Sequence, residues 1–200
     1  ASTAGEWTID PVHFAERHAL FVIIALGEVL VASGATATGV GLTTSTVAGL
    51  VVAVAVACVL WWTYFAFIPR VAEHRLRVAG GPERGRLARD MFTFGHFPIV
   101  IGLVTYAVVA KHLVEHPTDH LVAHDRWMLA LSAVSFVGGL LVIQYRAVRR
   151  LAPERVAALV VSCAVAAAGR WLPGVVVVGA VAVVLLLMQT ITVRRLARPA

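Results

Sequence analysis

Charge is what this sequence has least of. Only 14% of its 200 residues are Asp, Glu, Lys or Arg, against 60% hydrophobic residues and a mean hydropathy of +0.85. That balance excludes a soluble domain of this size and leaves an integral membrane protein. Lysine is almost missing: Lys111 stands alone beside sixteen arginines. The net charge of +6 clusters next to apolar stretches, which suits anionic lipid head groups, and no basic motif interleaved with aromatics argues for nucleic acid. The two cysteines, Cys58 and Cys163, lie within apolar stretches, where they suit helix packing better than a disulfide or a metal site. There is no initiator Met and no signal-peptide pattern, so the chain reads as one segment of a longer protein. It also lacks a nucleophile elbow, a phosphate loop, HExxH, a CxxC pair and a dinucleotide fingerprint. Catalysis of the soluble type is therefore unsupported, and no pattern names a cofactor.

What is present is a series of apolar runs long enough to cross a hydrocarbon core of about 30 Å. Six are expected, near residues 14–36, 46–68, 92–114, 127–147, 155–171 and 174–193, forming one all-α transmembrane domain over residues 1–200. Gly169-Arg170-Trp171-Leu172-Pro173-Gly174 breaks the helix tightly enough to make the last two spans a hairpin.

Arginine sets the expected orientation. Arg70, Arg75, Arg77, Arg84, Arg86 and Arg89 fall between spans two and three; Arg146, Arg149, Arg150 and Arg155 fall between four and five. With Arg194, Arg195 and Arg198 in the tail, all three groups lie on one side, which the positive-inside rule makes cytoplasmic together with both termini. Trp7, Trp61, Trp62, Trp127 and Trp171 fall near span ends, as interfacial aromatics do.

The first span, His13 to Glu28 and beyond, contains a carboxylate inside an apolar helix. Such a group is a functional candidate, expected to face protein or a cavity rather than lipid. At 100° per residue, His13, Arg17, Phe21, Ile24 and Glu28 form one stripe, with Glu16 and His18 about 100° to either side of Arg17. Counting the rise puts Glu28 roughly 22 Å in from His13, level with Thr105, Tyr106, Ser132 and Ser135. His96 falls nearer the cytoplasmic end, level with Glu16, Arg17 and Leu20. The stripe reads either as a proton or ion site or as a structural clasp in which Glu28 hydrogen-bonds between helices. Glu16, Arg17 and His18 can equally be an interfacial charge cluster that anchors the helix.

Two further patterns stand out. Pro98 in Gly95-His96-Phe97-Pro98 removes a backbone hydrogen bond one turn into span three and frees a carbonyl near Phe94. His112, His116, His120 and His124 recur every fourth residue in the opposite loop, which would align neighbouring imidazoles on a helix. Pro117 interrupts such a helix, so a solvated polar loop is expected there, with no metal site.

The segment His13-Phe-Ala-Glu-Arg-His-Ala-Leu-Phe-Val-Ile-Ile-Ala-Leu-Gly-Glu28, with Trp61-Trp-Thr-Tyr-Phe65 and Arg89-Asp-Met-Phe-Thr-Phe-Gly-His96-Phe-Pro98, resembles the bacterial low temperature requirement protein A family. The resemblance is to the C-terminal half of such a protein. It implies a polytopic inner-membrane protein and no particular biochemical activity, and it supports Glu16, Arg17, Glu28 and His96 as site residues.

The function expected on this basis is movement of a proton, ion or small solute through a polar site made by His13, Glu16, Arg17, Glu28 and His96. The site would open toward the cytoplasm and be completed by an N-terminal half or a second copy. The alternatives are a non-transporting structural or stress-adaptation protein and a lipid-modifying membrane enzyme.

Overall fold

The computed structural model describes residues 10–196; Trp7 and Arg198 lie outside the described residues. Helix α1 (Pro11–Val40) starts where the Asp10 carboxylate accepts the Val12 and His13 amides, with Pro11 in the first turn where its missing N–H costs nothing. Thr43 caps α2 (Thr44–Phe65) in the same way, accepting the Thr46 amide at 3.2 Å. The chain then breaks and restarts as α3 (Ile68–Val78), earlier than the expected end of span two. Between spans two and three the sequence suggests an arginine-rich loop. The structure has helix there: α3 buries Ile68, Ala72 and Leu76 and carries its charges on the other face. After α4 (Gly81–Leu87) comes a π-helix, Ala88–Phe94, continuous with α5 (Gly95–Glu115). Then follow α6 (Ala123–Val148), α7 (Pro153–Ala168) with a 3₁₀ turn at Gly169–Trp171, and α8 (Gly174–Leu196).

Among the described residues, five helical stretches are long and apolar enough to cross a membrane; α7, with sixteen residues, is the short one. It nevertheless runs the length of the bundle. It begins beside the end of α6, and the turn after it is tied to the opposite end, where the Gly174 amide donates to Asp119 O (2.8 Å) and Val175 to Pro117 O (3.2 Å). Those bonds, with an isolated bridge between His120 and Pro173, tie this connection to the start of α8, while His116, Thr118, Asp119 and His120 stay exposed.

Helix α5 is the centre, packed on α1, α2 and α6. Its closest partner is α6, because the contact is lined by glycine. A Cβ on Gly102 would meet Phe136 N at 2.6 Å and Ser132 O at 2.8 Å, and one on Gly139 would meet Gly95 O at 2.7 Å. Backbones this close gain dispersion contacts that lipid-facing leucines cannot supply. The Ser132 hydroxyl donates across the gap to Gly102 O (2.8 Å), and Tyr106 donates to Ala53 O (3.1 Å), joining α5 to α2.

Candidate functional site

Helices α1, α2 and α5 meet at the arginine-rich end around His96, which is 3% exposed. Its position follows from the π-helix. The wider i→i+5 turn ends where α5 begins, and the His96 ring reaches back five residues so that Nδ1 lies 3.0 Å from Met91 O. The His96 side chain thus adds a bond to the Met91 carbonyl, three residues before the Phe94 carbonyl that Pro98 leaves without its amide. A carbonyl only accepts, so Nδ1 carries the proton and Nε2 of the neutral ring is bare. Tyr64 of α2 fills that acceptor: its hydroxyl lies 2.7 Å from Nε2 and donates to it.

A second imidazole stands beside the first. His18 of α1 donates from Nδ1 to Phe14 O at 2.8 Å, which leaves its own Nε2 as the acceptor, and its ring centroid is 5.1 Å from that of His96. Phe92 stacks on His96 at 5.5 Å with the rings nearly parallel, and Phe14 closes edge-on against Phe92. Tyr64 is fully buried while His18 is half-buried. The cluster thus runs from the bundle interior to its edge as a hydroxyl and two imidazoles walled by phenylalanine. Groups of this kind can hold a proton at Nε2, with His18 and His96 packed edge to face and no hydrogen bond between them among the described residues.

The structure divides the residues singled out from the sequence. His96 lies in this cluster. His13, Glu16, Arg17 and Glu28 do not, and the expectation that Glu28 faces the bundle interior is not met: all four are exposed. Helix α1 buries Ala15, Val22, Ala25, Leu26, Val29, Ser33 and Ala37 instead. The stripe occupies the outward face, with Phe21 58% and Ile24 68% exposed between Arg17 and Glu28. His13 pairs with Glu16 at 3.4 Å; among the described residues Arg17 and Glu28 make no ion pair. His18 and Tyr64 are the partners that the sequence reading did not assign to the site. The signal for His18 was its place one residue from Arg17, on the side of the helix that carries Val22 and Ala25.

Other polar groups sit away from this cluster. Asp90 of the π-helix bonds Arg146 at the end of α6 and Arg89 beside it. At the far end, His112 Nδ1 lies 2.6 Å from the buried Asp125 carboxylate. Among the described residues, no group of three His, Cys, Asp or Glu side chains has metal-binding geometry. At mid-depth, Tyr106 and Ser132 border a cavity of about 10 Å³, room for one water.

This architecture has known relatives. The family model for the bacterial low temperature requirement A protein (LtrA) matches residues 1–190. The chain belongs to the low temperature requirement A family. An uncharacterised protein of Rhizobium meliloti (strain 1021) is similar, 36% identical over 109 residues, which make up 54% of this chain and 26% of the relative. The match thus spans about a quarter of the length of that relative. No solved structure matches the chain.

Proposed function

We propose that this membrane protein takes up and passes protons at its arginine-rich end, through Tyr64, His96 and His18. The observation that carries the reading is the buried Tyr64–His96 hydrogen bond of 2.7 Å, in which the Met91 carbonyl holds the ring so that Nε2 is the basic atom. Protonation of Nε2 reverses that bond, with Tyr64 becoming the acceptor, and the neighbouring His18 offers the next basic nitrogen toward the edge. The arginine distribution supports placing this end, and both termini of the segment, on the cytoplasmic side of the bacterial inner membrane. A cysteine probe at Thr118 is then labelled from outside intact cells and one at Arg84 is not; the reverse pattern inverts the orientation.

Glu28 enters this reading as part of a surface. A carboxylate on the outward face of α1, among Phe21, Ile24 and Val31, is costly against lipid. We infer that this face meets the remainder of a longer protein or a second copy, which would bring its partner and complete any path across the membrane.

The full-length protein in liposomes, with a pH-sensitive dye inside and an imposed potential, tests the reading. His96→Ala should lower proton flux by roughly 100-fold, the usual weight of a positioned acid or base, while leaving insertion intact. Unchanged flux removes His96 from the path. A second reading is favoured by the same contacts: both ring nitrogens of His96 are satisfied and Phe92 stacks on it, which is also what a static clasp between α1, α2 and α5 requires. A wild-type protein without flux, destabilised by His96→Ala, supports that clasp.

A further inference from the structure

The arginine-rich end holds a second polar feature, separate from the histidine cluster. Arg155, in the first turn of α7, is 3% exposed. Its guanidinium makes no hydrogen bond or ion pair among the described residues, and its Nε and Nη1 are sealed from solvent without a partner. A guanidinium stays ionised, and burying one unpaired is among the most unfavourable arrangements a fold can contain. Something absent from the chain itself is expected to neutralise it.

Arg155 lines a cleft of about 440 Å³ between α3, α6, α7 and α8. Two more arginines, Arg150 and Arg195, stand at the same cleft. One carboxylate is there too, but Glu154 is engaged, accepting from Arg195 at 2.7 Å and from Thr192 at 3.3 Å. Three cations against one committed anion leave room for a negative group. Most of the remaining wall is apolar, including Phe67 just before α3, Ile68 and Val71 of α3, Val148 at the end of α6 and Leu151 beyond it. An inorganic anion has no use for such a wall; an acyl chain does.

We propose that this cleft binds one anionic phospholipid, its phosphate at Arg155 with Arg150 and Arg195, and its upper acyl chain along α3 and Val148. The chemistry recognised is a phosphate diester whose head group carries no compensating positive charge. It differs from the diffuse attraction of basic connections to a charged surface, because the arginine that carries it is inside the bundle. Nothing in it depends on proton movement, so the two readings fail separately.

Native mass spectrometry of the full-length protein, titrated with phosphatidylglycerol or phosphatidylcholine of matched chains, tests this. One phosphatidylglycerol should be retained with at least about tenfold preference over phosphatidylcholine, the weight of a charge-assisted pair. Arg155→Gln should abolish the preference. Val148→Trp, which keeps the charge and obstructs the apolar wall, should weaken retention of both lipids and serves if Arg155→Gln does not fold. Equal retention of the two lipids, a preference that survives both variants, or displacement of the lipid by millimolar inorganic phosphate alone would each overturn the proposal.

Discussion

Helices α1 and α5 are both long, apolar and interrupted by little, yet they do different work. Half of the most apolar stretch of α5 is buried within the chain (50%), against 28% for α1. Helix α5 is held on several sides, by glycine contacts with α6, by Tyr106 to α2 and by His96 to Tyr64. Helix α1 is held on one side only and turns His13, Arg17 and Glu28 outward. The comparison separates two kinds of polar group in a membrane helix. His96 is satisfied by the chain that contains it. Glu28 is exposed and has no side-chain hydrogen bond or ion pair among the described residues.

The strongest way to break this contrast is to crowd the two helices equally. Gly102→Ala puts a Cβ within 2.8 Å of two backbone atoms on α6, which cannot yield as a flexible side chain can. We expect a loss of about 3 kcal/mol or more, read as a large fall in melting temperature in detergent. Gly34→Ala on α1 meets nothing within 4 Å and should cost nothing or add slightly to helix stability. Similar losses at both positions would show that α1 is packed as tightly as α5.

A smaller effect is expected from Tyr64→Phe. It preserves ring packing but strips His96 Nε2 of its donor, at a cost of about 1–3 kcal/mol for the orphaned buried acceptor. The same change should slow proton flux if Tyr64 is in the relay. Lost stability with full flux would reduce Tyr64 to a structural role.

Least of all should follow from Glu28→Gln. In this segment the side chain is exposed and unpaired, so its melting point should move by no more than about 0.5 kcal/mol allows. In the full-length protein, the variant should insert normally and lose activity if Glu28 meets a functional partner there. A destabilisation comparable to that of Gly102→Ala would place Glu28 inside a tight contact.

Much of this molecule could be read from the chain alone. Composition determined the membrane class and the all-α fold, because a run of some twenty apolar residues in lipid must satisfy every backbone group internally and only a helix does so within one segment. The expected spans from 14 and 46 began within a turn of the observed starts of α1 and α2, where Asp10 and Thr43 supply the short side-chain oxygen that an exposed first turn needs. His96, Glu28 and Arg17 stood out because charge and hydrogen-bonding groups are rare in such surroundings. Which of them the fold gathers was a tertiary decision. A helix that is apolar all round has no pattern to announce its inner face, so the wheel grouped His13, Arg17 and Glu28 correctly without showing that the stripe points away from the bundle. The register that sets Tyr64 against His96, thirty-two residues apart, depends on the π-helix and on how closely Gly102 and Gly139 let α5 approach α6. Those are properties of packed surfaces, and local sequence carries no record of what packs against it.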